Sequence, residues 1–224
     1  MANYVTHKIT ITNPTNKVKG ILDKVRASEK DMFGEYTLGL FQQLKPMPSI
    51  LEDTIHGYDF GIPFHRIKTM NDYLNAERMI DAYPNGTSDD KKKAKKCALN
   101  AYTAYTKCGF TNWYDWRNAN WGTEGDALSL SIGVSGNEYT LEFDTACETP
   151  SGIWSELVRL AKRTKMTIEG WFYDEDAGNN CGTIYISSSG YEIDYVNTLD
   201  FYLECRGITE EEYRIECGEE EDDE

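Results

Sequence analysis

Positive charge is what this 224-residue chain has least of: 23 lysines and arginines face 38 aspartates and glutamates, a formal net charge of −15. Phosphate backbones are gripped by Lys and Arg in excess on one surface, so direct nucleic-acid binding is disfavoured. Histidine is scarcer still, at three residues, and the six cysteines (97, 108, 147, 181, 205 and 217) contain no C-x-x-C pair. No zinc pattern can be assembled from these, and neither a metal nor another cofactor is expected. No stretch approaches the roughly eighteen apolar residues of a membrane span. MANYVTHKITIT has no apolar core of a secretory signal, so a reduced cytoplasmic setting with no membrane partner is expected. Also missing are G-x-x-x-x-G-K-[ST], G-x-G-x-x-G and any Ser or Cys in a nucleophile elbow. No catalytic residue is assigned, and the chain reads as a non-enzyme.

Aromatic bulk is plentiful: 15 Tyr, 8 Phe and 5 Trp supply the buried area a core needs. Charge is uneven. Ten acids fall in the last fifteen positions; without them and Arg214 the remaining body carries 22 basic and 28 acidic groups, a net of −6. Glu210, Glu211 and Glu212, then Glu219, Glu220, Glu221, Asp222, Asp223 and Glu224, form an acidic tail over 208–224. Self-repulsion is expected to keep its last six residues extended, and its acids are candidate contacts for a basic partner.

Val5, His7, Ile9 and Ile11 alternate with Thr6, Lys8, Thr10 and Thr12, which predicts a half-buried strand with His7 on its inner face. A helix follows over about 17–27. EYTLGLFQQLKPMP predicts a second strand ending before Pro46 and Pro48. Helices are expected near 71–83 and from Thr87 to Gly109, the second carrying the only basic run, Lys91 to Lys96, as a solvated face. Strand alternation returns in two hairpins, 127–134 with 139–146 and 166–176 with 181–190. Thr149-Pro150 opens a helix between them. Asp174, Glu175 and Asp176 read as a solvated turn, and His56 and His65 as the remaining candidates to meet a carboxylate or a metal.

This order predicts the α+β class: a ferredoxin-like antiparallel sheet with helices on one face, a helical insertion and the acidic tail. The expected divisions are 1–48 and 125–207 for the two halves of the ferredoxin-like domain. The insertion is 49–124 and the tail 208–224.

Three of the five tryptophans fall within nine residues, in NWYDWRNANW. The chain is similar here to a family of phage and plasmid proteins with a YubB ferredoxin-like domain. The similarity rests on four elements: Met47-Pro48, then Gly109 to Arg117 (GFTNWYDWR), Asn120 to Ala127 (NWGTEGDA), and Phe143 to Pro150 (FDTACETP). Two departures stand out: Thr-Glu-Gly replaces the family's Thr-Lys-Trp, and Cys147 replaces a tryptophan. The resemblance implies a ferredoxin-like fold, a mobile-element origin and hence a host cell's cytoplasm, with no settled activity.

Two uses of the cluster stay open. Trp113, Trp116 and Trp121 with Arg117 can plug a junction, Arg117 pairing with Asp115 or Asp126. Alternatively Trp113, Tyr114, Asp115, Trp116, Arg117, Asn120 and Trp121 form a binding surface for a partner or a nucleotide. The functional expectation is a phage-encoded interaction protein that inhibits a host factor with a basic surface, such as a nucleic-acid-handling defence complex. The second candidate is a nucleotide-sequestering protein that uses the Trp motif.

Overall fold

The structure, a computed structural model, describes residues 3–218. Along the chain run β1 (Tyr4–Thr12), α1 (Asn16–Arg26) and α2 (Leu40–Leu44). Next come a short hairpin of β2 (Tyr58–Asp59) and β3 (Ile62–Pro63), then α3 (Met70–Ala82), α4 (Ser88–Cys108) and α5 (Trp113–Trp121). The remainder is β4 (Leu128–Ser135), β5 (Glu138–Ala146), α6 (Ser151–Ala161), β6 (Thr167–Asp174), β7 (Gly182–Ser187), β8 (Gly190–Tyr195), α7 (Leu199–Arg206) and α8 (Glu210–Glu216). The residues divide into two compact units, 1–44 with 125–224, and 45–124.

The first unit is a six-stranded antiparallel sheet in the order β4-β5-β1-β6-β7-β8. The four strands β4, β5, β1 and β6, with α1 and α6 as crossovers, make the split β-α-β ferredoxin-like arrangement, and β7 and β8 extend it at one edge. The period-2 pattern of β1 sends Val5, His7, Ile9 and Ile11 inward. They meet Tyr139, Leu141 and Phe143 of β5 and Ile168 and Phe172 of β6. Over this face pack Val18, Leu22 and Val25 of α1 and Ile153, Trp154 and Leu157 of α6. Thr15 caps α1, its hydroxyl accepting from the Val18 amide at 3.2 Å.

The strand expected after Glu35 is absent. Lys30 and Tyr36 make one bridge, and the chain then turns into α2, burying Leu40, Phe41 and Leu44. Leu40 and Leu44 sit one helical turn apart, and a distant carboxylate decides between helix and strand. Asp126 accepts from the amides of Phe41 at 2.7 Å and Gln42 at 2.9 Å, 85 and 84 residues away. Its side chain stands so close to Gly39 that a β-carbon there would strike the carboxylate. The role of second strand passes to β4, so the insertion interrupts the first β-α-β crossover. Asp126→Ala should lower the stability of this unit by about 1–2 kcal/mol, read as a shift of the urea midpoint with an unchanged slope.

Three further differences concern the second half. Pro150, not Thr149, is the N-cap of α6, with no side-chain cap bond. The chain beyond residue 190 folds into β8, α7 and α8, where the sequence reading assigned no element to 191–207 and only a tail to 208–224. Those last helices do not join the helical layer: Tyr202 and Leu203 of α7 pack on Cys181 and Tyr173, on the other face of the sheet and at one end of it.

The second unit has a core of Ile62, Phe64, Ile67, Ala76, Ile80, Ala94, Ala98 and Ala101. Alanines at positions 94, 98 and 101 form a small-residue stripe that lets α4 lie close to α3. Lys91 and Lys95 of the basic run then reach the end of α3, donating to the Asp81 carbonyl and carboxylate at 2.9 and 2.8 Å. A capping box on Thr69 and Asp72 starts α3, and Thr87 caps α4.

Candidate functional site

Helix α5 carries the tryptophan motif, and its residues are spent largely on its own construction. Asn112 is fully buried and caps the helix, accepting from the Asp115 amide at 2.8 Å while its amide group donates to the Asp115 carboxylate at 2.9 Å. The Trp113 amide donates to Thr54 Oγ1 at 3.0 Å. Trp121 has no exposed surface; its indole N–H donates to the Lys45 carbonyl at 2.8 Å, and Trp116 meets it edge to face at 5.8 Å. The Lys45 ammonium in turn donates to the Asn120 carbonyl, and the Asn120 amide to the Trp116 carbonyl. Arg117 lies between two indoles, 4.9 Å from the Trp113 ring and 5.0 Å from that of Trp121, and its guanidinium donates to the Glu124 carbonyl. Gly122, at φ 86°, ends the helix in the left-handed region that glycine adopts without strain.

The rings therefore pack against protein, with Trp113 and Tyr114 half-buried at the margin. Tyr114 stacks on His56 at 4.0 Å. Two clefts of the described residues are lined by residues outside the motif. One is bounded by Pro48, Ser49, Asp53, Asn100 and Lys107, another by Cys147, Glu148, Thr149, Asn180 and Tyr195. Among the described residues no group of three or more His, Cys, Asp or Glu side chains could hold a metal.

Of the tail acids, Glu210, Glu211 and Glu212 form the first turn of α8. Glu212 closes a capping box, accepting from the Thr209 amide and hydroxyl, which holds its carboxyl below the usual range. Glu210 pairs with Arg214 at 2.7 Å, and Glu216 with Arg206 at 2.8 Å. So the first part of the expected polyanion is a capped helix with its charges partly matched. Glu219 to Glu224 lie outside the described residues. Asp174 is no solvated turn residue either: it is buried, and accepts from Asn3, Asn180 and the Asp176 amide.

Among the described residues of the first unit, one array of charge lies where the sequence reading singled out nothing. The sheet face opposite α1 and α6 is open over most of its width. Register places two rows of side chains across it. The first reads Ser131, Glu142, Lys8, Trp171, Thr183, Asp194; the second reads Gly133, Thr140, Thr10, Glu169, Tyr185, Glu192. With Glu138 and Asp144, which share this face, the strands present six carboxylates and one lysine on it. Glu142, Glu169, Glu192 and Asp194 are exposed, and Tyr185 is 45% exposed. Strand alternation was the signal available: the polar parity of five strands, read together, lists these acids.

No family model matches the chain, and no curated protein matches it. Among solved structures it is similar to the crystal structure of a protein api92 from Yersinia pseudotuberculosis, under the family model DUF1281. The likeness spans 87% of this chain and 98% of that one, at 10% identity and a TM-score of 0.39. So weak a likeness says nothing about activity. No helix among the described residues is long and apolar enough to cross a membrane.

Proposed function

We propose that this chain is a non-enzymatic interaction protein of a phage or related mobile element. It binds a host protein or complex through a basic surface and inhibits it by occupying that surface, as a competitor of nucleic acid would. The observation that carries the reading is the open sheet face with its six carboxylates and one lysine. Hydrogen-bonded strands fix the spacing of these charges before any partner arrives, so little ordering cost is added on binding. An array of fixed negative charge steers a cationic groove toward it and competes there with phosphates. The mobile-element origin rests on the four sequence elements around the tryptophan motif.

The purified protein, used to capture a partner from bacterial lysate, should release it as salt rises. For the isolated pair, Kd should increase at least about tenfold between ~0.05 and ~0.5 M salt. A partner whose affinity ignores ionic strength would refute the electrostatic reading.

A further inference from the structure

The open sheet face sets a cation between a carboxylate and an aromatic ring in one row, and an aromatic residue between two carboxylate-bearing residues in the next. In the first row Lys8 of β1 stands between Glu142 of β5 and Trp171 of β6, its direct cross-strand neighbours. The ammonium lies 3.8 Å from the Glu142 carboxylate and 5.7 Å from the centre of the Trp171 ring. A cation is thus held between a carboxylate and an aromatic face.

One row along the sheet, carboxylates and an aromatic residue are again neighbours, in a different order. Tyr185 of β7 has Glu169 of β6 on one side and Glu192 of β8 on the other, each its direct register partner. Directly opposed side chains on one face start about 5 Å apart, so register sets a carboxylate-bearing side chain on each side of Tyr185. All three are exposed, and among the described residues neither Glu169 nor Glu192 takes part in an ion pair.

We infer that the Glu169–Tyr185–Glu192 row is a cradle for an arginine side chain of a protein partner; this rests on, and sharpens, the reading of the open face given above. A guanidinium stacks flat on a tyrosine ring while its outward N–H groups donate to carboxylates at either edge. An ammonium offers one compact charge and satisfies one carboxylate at a time, so arginine is preferred over lysine. Asp194 lies diagonal to Tyr185 and supplies a further acceptor for a second basic residue two positions along an extended segment. The occupant is neither nucleic acid nor a second copy of this face. A phosphate would meet three carboxylates around one ring, and two copies face to face would set acids against acids.

The test uses the full chain labelled with 15N and two probe peptides, one alternating Arg and Ser and one alternating Lys and Ser, titrated at low salt. The arginine peptide should shift the amides of β6, β7 and β8 first, and bind several-fold more tightly than the lysine peptide. Tyr185→Ala should weaken it about fivefold and Glu169→Gln with Glu192→Gln about tenfold. Glu52→Gln with Glu29→Gln removes the same charge elsewhere and should change affinity less than about twofold. All these positions are exposed, so the fold survives the substitutions, and amide spectra verify it. Equal losses in the row and control variants, with the salt dependence kept, would overturn the cradle and leave the charged face standing. No binding of either peptide at low salt would overturn both. A single-stranded DNA probe that shifted the same amides would overturn the choice of occupant.

Discussion

Lowering the pH from 7 to 4.5 should cost this protein about 2.5 kcal/mol of stability that a His7→Leu variant retains. His7 is fully buried on the inner face of β1, stacked on Phe143 at 4.9 Å and flanked by Trp154 and Phe172. Neither ring nitrogen makes a hydrogen bond of ordinary geometry. The backbones of Val5 and Phe143 offset only part of the burial cost, and desolvation pushes the imidazole pKa down from 6.5 to about 3. Between those two values the unfolded chain holds a proton that the folded chain refuses. Stability therefore rises with pH through that window, with a slope of about 1.4 kcal/mol per unit, and the contribution is complete above pH 6.5. Urea unfolding at a series of pH values, wild type against His7→Leu, isolates this term from the surface carboxylates both share. Leucine also removes two unsatisfied buried nitrogens, so the variant should equal or exceed the wild type at neutral pH. Parallel pH curves for the two proteins would show that the native imidazole takes up its proton in place.

Trp121→Ala should be the most damaging single change in residues 45–124, at about 3–5 kcal/mol. The ring is wholly buried, edge to face with Trp116, under the Arg117 guanidinium and hydrogen-bonded to Lys45. Its loss removes the contact area, leaves a cavity and strands the Lys45 carbonyl, three separate penalties at one site. Hydrogen exchange should report the damage as lost protection in α5 and the segment around Lys45. Tyr114→Ala, at the half-buried margin, should cost about 1 kcal/mol by the same measure. A small effect at Trp121 and a large one at Tyr114 would reverse the assignment and return the motif to the list of binding surfaces.

The legible parts of this fold were those set by local pattern. β1, both hairpins, α1, α3 and α4 follow from alternation, helical spacing and caps within a few residues of the element. What stayed hidden depended on residues far apart in the chain. A strand was expected at 36–40 because Tyr36, Leu38 and Leu40 alternate. The helix there exists because Asp126, 85 residues on, satisfies its first amides. β8 has inward Tyr191 and Tyr195 left about a third to half exposed, a weak period-2 signal at a sheet edge. The open-face cradle was invisible for a related reason: Glu169, Tyr185 and Glu192 come from three strands, and only register makes them neighbours. The tryptophans were conspicuous, yet sequence alone could not tell rings that face protein from rings that face solvent.

The bond from Asp126 to Phe41 and Gln42 has a consequence for how such a chain can be built and rebuilt. It holds the chain's point of departure, just before Lys45, beside its point of return at Gly125, so the sheet sees 80 residues as one closed detour. The entropy of closing a detour grows only logarithmically with its length, by about 0.6 kcal/mol per doubling. The platform thus tolerates cargo of almost any size at this socket: a linker of a few glycines, or another folded module, could be spliced between the same two stubs.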